Sequence, residues 1–441
     1  MTDRKVTRRD VAAGLGSAGL GSAGLGVAGA TTTALGGAIA APLRVRQAKL
    51  EVVIVGGGVA GLSVARALSA AAADALKVSL IAPDPAYDSC LFEAAILGPA
   101  PGRDTQPSSY RGILGWHGVD LVSDFAIAVD RNRKQVLSAS GAVFAYDRLV
   151  LAPGVTIDRE AHVALGPEAS LMLNAAWDTG ADQRRLAGII DAMKPGGLVA
   201  IVAPPGATRW TEGVLERSWL VAGRLARRNP TATVHLILPS ADEALRARSL
   251  LMRTARPGPA DGTPREISVT HLAGCGWGAA VDPVTRRIDT ADGVVTADVI
   301  SAVPSQRAGL IAEIAGLVDE SGWCPVGGPH QRSVIDDAVF IAGDAASGAS
   351  QHRTAWHAAR GAAAVAEAVL AEVLGPRAAA NAGAISLAAL ADVLERLAPP
   401  APGGDPTLGG LCARCDRNVD ALACLVSQNV AAPSGAWIGD A

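Results

Sequence analysis

Aromatic side chains are scarce: Phe, Trp and Tyr together make up 3% of the 441 residues, so packing falls mainly to Ala, Val, Leu and Ile. Charge is sparse too, at 18%, and nearly balanced, with a formal net charge of -3. That excludes the basic footprint a nucleic-acid-binding surface needs. No Cys-x-x-Cys-His occurs, which excludes covalent haem attachment to this chain. One Cys-x-x-Cys pair is present, Cys412 and Cys415, but zinc would want a second pair, so no metal site is expected. In an oxidising compartment the bland reading of Cys412, Cys415 and Cys424 is a local disulfide. Beyond residue 40 no stretch is long and apolar enough to read as a membrane span. What is abundant is hydrophobic residues, at 49%, and Gly, with 50. The chain can bury two or three sizeable cores and is not disordered in character.

The first 40 residues stand apart. Arg4, Lys5, Arg8 and Arg9 precede a Gly/Ala/Leu tract with a near-repeat, and the tract ends at Ala38-Ile39-Ala40, a small-x-small site. This reads as a cleavable export signal. The stretch Thr7 to Ala12, TRRDVA, resembles the twin-arginine type, which exports proteins already folded around a cofactor and predicts a periplasmic location. A spanning helix is the competing reading, but the tract is too rich in Gly and Ser to compete well.

The organising motif is Glu51 to Gly61, EVVIVGGGVAG. A buried strand over Glu51 to Val55 runs into Gly56, Gly58 and Gly61, and Leu62 to Ala73 reads as an alanine-rich helix. The spacing G-x-G-x-x-G suits a dinucleotide: one glycine makes the turn, the second lets backbone N–H groups approach a pyrophosphate, and the third lets helix and strand pack. The helix N-terminus adds its partial positive charge. Without flanking strand and helix the same spacing would be an ordinary glycine turn. A second strand, Lys77 to Ala82, ends where such folds place an acidic residue for the adenosine ribose. Ala82 stands there instead, with Asp84 two residues on as either a substitute or a solvated turn residue.

Further along, Tyr87 to Gly98 reads YDSCLFEAAILG, with Cys90 just past the second strand. Alternating runs over Val119 to Val129 and Lys134 to Phe144 predict an antiparallel insertion. Tyr146 to Gly154, YDRLVLAPG, predicts a short buried strand ending in a turn at Pro153-Gly154. Leu198 to Ala203 repeats the opening theme, but Pro204-Pro205-Gly206 replaces the glycine triplet, and proline lacks the N–H that cradles a phosphate. No nicotinamide nucleotide is expected there. A helix over Gly213 to Arg228 and a strand over Thr233 to Leu238 continue the alternation. Val339 to Ala345, VFIAGDA, ends a buried strand in Gly343-Asp344, followed by an alanine-rich helix over Ala355 to Leu374. A glycine fingerprint near one end and a Gly-Asp turn near the other enclose a second domain. The fold class expected is α/β, a glutathione reductase-like flavoprotein with two dinucleotide domains. Its parts are a signal at 1–40, FAD-binding segments at 41–160 and 305–375, a degenerate nicotinamide-type domain at 161–304 and a C-terminal region at 376–441.

Taken together, VVIVGGGVAG, YDSCLFEAAILG, YDRLVLAPG, VAPP, QRAGLIAEIAGL with GWCPV, and the Gly-Asp turn resemble the flavoprotein subunit of flavocytochrome c sulfide dehydrogenase, over residues 51 to about 374. The resemblance implies FAD held covalently by Cys90 through its 8α-methyl carbon, with Gly56, Gly58 and Gly61 on the pyrophosphate and Asp344 on the ribityl chain. It also implies a c-type cytochrome as electron acceptor and sulfide or another small reduced sulfur compound as substrate. The chain departs from that family at its redox disulfide. Trp210 occupies the first cysteine's position, and residues 384–389 hold no second one. Cys324, in GWCPV, reads as structural. Glu216 matches a glutamate that stands near the disulfide in the family, where it could serve as a general base or sit as a surface carboxylate. Two alternatives remain open at this level: a catalytically degenerate flavin-binding or assembly subunit, and a sulfide:quinone-type enzyme. The latter predicts a basic amphipathic C-terminal helix, whereas residues 425–441 contain no Lys or Arg.

Overall fold

The computed structural model describes residues 49–83, 86–87, 94–98, 108–110, 118–157, 172–177, 180–203, 213–254, 267–274, 280–303, 305–347, 353 and 355–376. Strand β1 (Leu50–Val55) leads through the glycine turn into helix α1 (Val59–Ala72) and back into β2 (Leu76–Ala82). Next come β3 (Val119–Ser123), an antiparallel trio β4 (Ala126–Asp130), β5 (Gln135–Ser138) and β6 (Val143–Ala145), then β7 (Arg148–Leu151) and β8 (Val155–Ile157). A second α/β region follows: α2 (Gly180–Asp191), β9 (Leu198–Val202), α3 (Gly213–Arg228), β10 (Thr233–Leu238), α4 (Ala241–Thr254) and β11 (Ile267–His271). It continues through a small meander, β12 (Val281–Asp282), β13 (Arg287–Thr290) and β14 (Gly293–Thr296), to β15 (Val299–Ala302). The chain then returns through β16 (Gln306–Ala308), α5 (Leu310–Ile314), β17 (Val326–Gly327), β18 (Arg332–Ser333), β19 (Val339–Ile341) and α6 (Ala355–Leu374).

The first sheet has the order β17-β18-β19-β7-β1-β2-β3, so strands from both ends of the chain share it; β19, β7, β1, β2 and β3 run parallel. A parallel sheet needs cover on both faces, and the side-chain alternation of β1 shows how it is met. Val52 and Ile54 face a core built from α1 and α6, while Val53 and Val55 face one built with Tyr146, Leu317, Trp323 and Cys324. Each such aliphatic side chain, fully buried, contributes about 1.5–3 kcal/mol. Alanines explain the close approach of α1 to α6: Ala65, Ala358, Ala359, Ala362 and Ala366 are all buried in the shared core. Glu372 of α6 then ties the helix to the sheet, bonding Arg148 at 2.7 Å and Arg332 at 3.0 Å.

The second sheet is β11-β10-β9-β15, all parallel. Its Val199 and Ile201 pack under α2 and α3, and its Ala200 and Val202 against the meander side. Between the two sheets the chain crosses out on β8 and back on β16, which pair antiparallel.

Two expectations need correction. The first helix begins at Val59, not Leu62, so Gly61 lies inside its first turn. The run from Val119 does not belong to an antiparallel insertion throughout: β3 joins the main sheet, parallel to β2, and only β4, β5 and β6 form the antiparallel unit. Period-two alternation reads alike in a parallel edge strand and in a hairpin, so the partner is a tertiary choice. The leader, the proline turn at 204–206, the helix expected over Ile385 to Leu397 and Cys412, Cys415 and Cys424 lie outside the described residues.

Candidate functional site

In open α/β sheets ligands bind beyond the carboxyl ends of the strands, and here four strand ends line up. The amide of Gly56 donates to the carbonyl of Ile81 (2.9 Å), that of Ala152 to Val55 (2.8 Å) and that of Ala342 to Leu151 (2.9 Å). The glycine turn stands at the centre of this row. Gly56 has φ +107°, and a Cβ there would lie 2.1 Å from the Ala152 carbonyl oxygen. A Cβ on Gly61 would lie 1.9 Å from the carbonyl oxygen of Gly56, so it is the residue that lets α1 sit against its own turn. Gly58 is different: nothing lies within 4 Å of a Cβ built there. Chain packing thus demands glycine at two of the three positions, and the third stands beside open space.

Gly58 is also the N-cap of α1. It makes no side-chain cap bond, and the first turn carries no acidic residue. The helix therefore presents N–H groups and a positive dipole end to whatever lies there, which suits a phosphate. From the far end of the chain comes the Gly343-Asp344 turn, a single 3-10 turn after β19. Gly343 has φ +80°, and its Cβ would approach Ala60 Cβ in the first turn of α1 to 2.8 Å. So two turns separated by more than 280 residues meet at one place. The uncapped N-terminus of α1 beside this turn suits the phosphates of a dinucleotide.

The Gly-Asp turn is braced by GWCPV. The Cys324 amide donates to the Ala345 carbonyl (2.9 Å), and the Ser347 amide to the Cys324 carbonyl (2.7 Å). Burial, with the Asp319 charge second, pushes the Cys324 thiol up to about 12. It stays protonated at neutral pH and is no nucleophile. Arg353 Nε donates to the Asp344 carbonyl oxygen (3.0 Å), and its guanidinium lies 3.7 Å over the ring of Trp323. Burial draws the Arg353 pKa down, and the Asp344 charge opposes that.

Pro153 and Gly154 serve the domain crossing. The Gly309 amide donates to the Gly154 carbonyl (2.9 Å), and a Cβ on Gly309 would meet Pro153 at 2.7 Å. Glu216 lies within α3, but its side chain is outside the described set, as are Asp84, Cys90 and Trp210. The chain on either side of Cys90 is described. Ala86–Tyr87 pairs with Ser108–Ser109, and the adjacent Tyr110 puts its hydroxyl 2.5 Å from the Cβ position of Gly57. Ala94–Leu97 forms a 3-10 turn whose Leu97 is buried in the core of the second α/β region. Arg224 holds it: one nitrogen donates to the Ile96 and Gly98 carbonyls (3.1 and 3.3 Å), while two others grip Asp191 at 2.6 Å each.

Sequence reasoning missed Tyr110, Trp323 and Arg353. Tyr110 carries no signal in its Ser-Ser-Tyr segment; Arg353 carries one, a cation two residues ahead of an alanine-rich helix, at the end where a cation is disfavoured. Among the described residues no cluster of His, Cys, Asp or Glu is arranged to hold a metal ion, and no helix is long and apolar enough to cross a membrane.

A family model described as pyridine nucleotide-disulphide oxidoreductase matches residues 50–164. Among solved structures, the chain is similar to the sulfide:quinone oxidoreductase from the hyperthermophilic bacterium Aquifex aeolicus, at 17% identity and a TM-score of 0.58, covering 74% of this chain and 78% of that one. It is also similar to an NAD-dependent persulfide reductase from A. fulgidus (18% identity, TM-score 0.50, covering 73% and 59%). A third is the covalent putidaredoxin reductase–putidaredoxin complex (18% identity, TM-score 0.50, covering 72% and 76%). At these identities the likeness is one of fold: α/β, with the layout of the flavoproteins that carry two dinucleotide-binding domains.

Proposed function

We propose that this chain is a periplasmic FAD-dependent oxidoreductase of the flavocytochrome c sulfide dehydrogenase type, with FAD joined covalently to Cys90. It oxidises sulfide or another small reduced sulfur compound and passes electrons to a c-type cytochrome carried by another chain. The observation that supports this most is the meeting of Gly343 with Ala60, which brings the Gly-Asp turn after β19 to the glycine turn before α1. Bound there, the flavin would supply two-electron redox chemistry; the chain supplies the uncapped α1 N-terminus for its phosphates and Asp344 for its sugar chain. The assignment of Cys90 rests on its place in YDSCLFEAAILG, the segment that resembles the family's flavin-attachment stretch. The twin-arginine pattern and the proline turn at 204–206 favour an exported enzyme that takes no electrons from a nicotinamide nucleotide. Loss of both disulfide positions argues that sulfur handling differs from the family's.

The test is to purify the exported protein, denature it in acid and ask whether yellow colour remains with the polypeptide. Retained colour that is lost in Cys90→Ser, with cytochrome c reduction on addition of a sulfur donor, is the expected result. Flavin released freely would remove the covalent bond and leave a sulfide:quinone-type or other FAD enzyme. A colourless protein would leave the degenerate assembly subunit as the better reading.

A further inference from the structure

Arg353 presents an electrostatic imbalance. Its side chain is more than nine-tenths buried, at 8% exposure, and stands two residues before the first residue of the 20-residue helix α6. Both circumstances are unfavourable for a cation: burial strips its water, and the helix N-terminus already carries positive partial charge. Two contacts fix it in spite of that, the stack on Trp323 at 3.7 Å and the bond from Nε to the Asp344 carbonyl at 3.0 Å. Trp323 is itself buried and held by the backbone bonds that join its neighbour Cys324 to the Gly-Asp turn. Neither contact neutralises the charge, since a ring face and a carbonyl oxygen are dipolar partners. The other guanidinium N–H groups donate to no described residue, and Asp344 is the acid whose charge acts on Arg353. Fixed in orientation by the ring and the carbonyl, and seated on the turn that a flavin would touch, this cation is placed to meet further negative charge that appears there.

We propose that Arg353, clamped between Trp323 and the Asp344 carbonyl, is the cation that meets the negative charge of the reduced flavin and so raises the potential at which this chain accepts electrons. The inference rests on the flavin reading above. Two electrons and one proton turn the neutral oxidised ring into a reduced ring bearing one negative charge; in a titration they come from dithionite and water. The charge appears only on reduction, so a cation beside it favours the reduced form without tightening the oxidised one equally. An Arg suits this better than a Lys would at a buried site, because its planar group stacks on an indole and keeps its proton.

The experiment is a spectroscopic redox titration of the purified flavin-loaded protein, wild type against Arg353→Gln, Arg353→Lys and Trp323→Leu, each first checked for wild-type thermal unfolding. Removing the charge in Arg353→Gln is expected to weaken the reduction equilibrium at least tenfold, about 30 mV for a two-electron couple. Arg353→Lys should recover most of that, and Trp323→Leu, which frees the guanidinium, should shift it the same way by less. An unchanged potential in a folded, flavin-loaded Arg353→Gln protein overturns the proposal. So does loss of the flavin from Arg353→Gln with an unshifted potential in the fraction retained, because the guanidinium would then hold phosphate. A wild-type protein without flavin fails at the earlier step and counts against the flavin reading itself. Should Arg353→Gln not fold, the order of wild type, Arg353→Lys and Trp323→Leu decides: equal potentials in all three refute the idea.

Discussion

Alanine at Gly61 should cost stability and alanine at Gly58 should cost cofactor binding instead, and the structure sets the sizes. In Gly61→Ala the new methyl would sit 1.9 Å from the Gly56 carbonyl oxygen and 3.1 Å from its carbon, both backbone atoms that cannot rotate away. Either α1 shifts off β1 or the turn opens, and overpacking of this kind costs about 1–3 kcal/mol or more. The gain in helix propensity from replacing glycine inside a helix, about 1 kcal/mol, offsets only part of that. In Gly58→Ala the methyl meets nothing within 4 Å, and the residue has φ -74° and ψ -172°, a conformation alanine adopts freely. The weaker N-cap costs about 1 kcal/mol, and the stiffer unfolded chain returns about 0.4–1 kcal/mol, so the net change is near zero. The same methyl projects into the space a pyrophosphate would use. Urea unfolding of the flavin-free protein should therefore show Gly61→Ala destabilised and Gly58→Ala nearly unchanged, while FAD titration in a Cys90→Ser background, where binding is reversible, should show Gly58→Ala impaired by at least tenfold. Equal destabilisation of the two variants, or wild-type FAD affinity in Gly58→Ala, would refute the division of labour among these glycines.

Other consequences follow from buried polar groups. Tyr146 is buried with a hydroxyl that has no hydrogen-bond partner among the described residues, so Tyr146→Phe should raise stability by about 1 kcal/mol at neutral pH, measured by urea unfolding; a loss of similar size would show that the hydroxyl is bonded after all. Alkali should also act through this core. Tyr146 is raised from 10.0 to about 12, chiefly by burial, and Cys324 from 9.0 to about 12 for the same reason. Between pH 9 and 12 the unfolded chain sheds these protons first, so stability falls as pH rises. Tyr146→Phe should flatten the upper part of that fall, and an unchanged pH slope above 10 would contradict it. In Arg224→Leu, Asp191 keeps Arg228 at 3.0 Å but loses its two-pronged partner, and the Ile96 and Gly98 carbonyls lose a donor. A cost of about 3 kcal/mol is expected, the low end for breaking a buried ion pair. If Cys90 carries flavin, the attached fraction should fall too; native attachment with normal stability would show that the clamp is idle.

Much of the frame was legible in the sequence because its signals are local. Strands at Leu198–Val202 and Thr233–Leu238 and helices at Gly213–Arg228 and Ala355–Leu374 announce themselves by unbroken aliphatic runs or alanine-rich stretches of the right length. The glycine turn was legible for the same reason, since its chemistry is written within six residues. Less visible was anything that depends on a partner far along the chain. The alternation of Val119–Ser123 could not say that β2 is its neighbour, and Leu62 looked like a helix start because Gly61 is a poor helix former. Nothing in Ser108-Ser109-Tyr110 says that the tyrosine hydroxyl reaches Gly57, and Asp191, Arg224 and Ile96 meet across separations of 33 and 128 residues.

Chain order and side-chain periodicity by themselves determined that this protein is α/β, that a glycine-turn strand opens it and that a Gly-Asp turn returns near residue 344. They could do so because a parallel strand buried on both faces must be aliphatic, and a tight turn against a helix must be glycine. Tertiary structure alone decided where charge goes. Arg353 over Trp323, Arg224 on Asp191 and the bare N-terminus of α1 each depend on side chains or dipoles brought together from distant segments, and burial sets what those charges are worth. A sequence lists ionisable groups, but how far water is excluded around them is a property of the packed molecule.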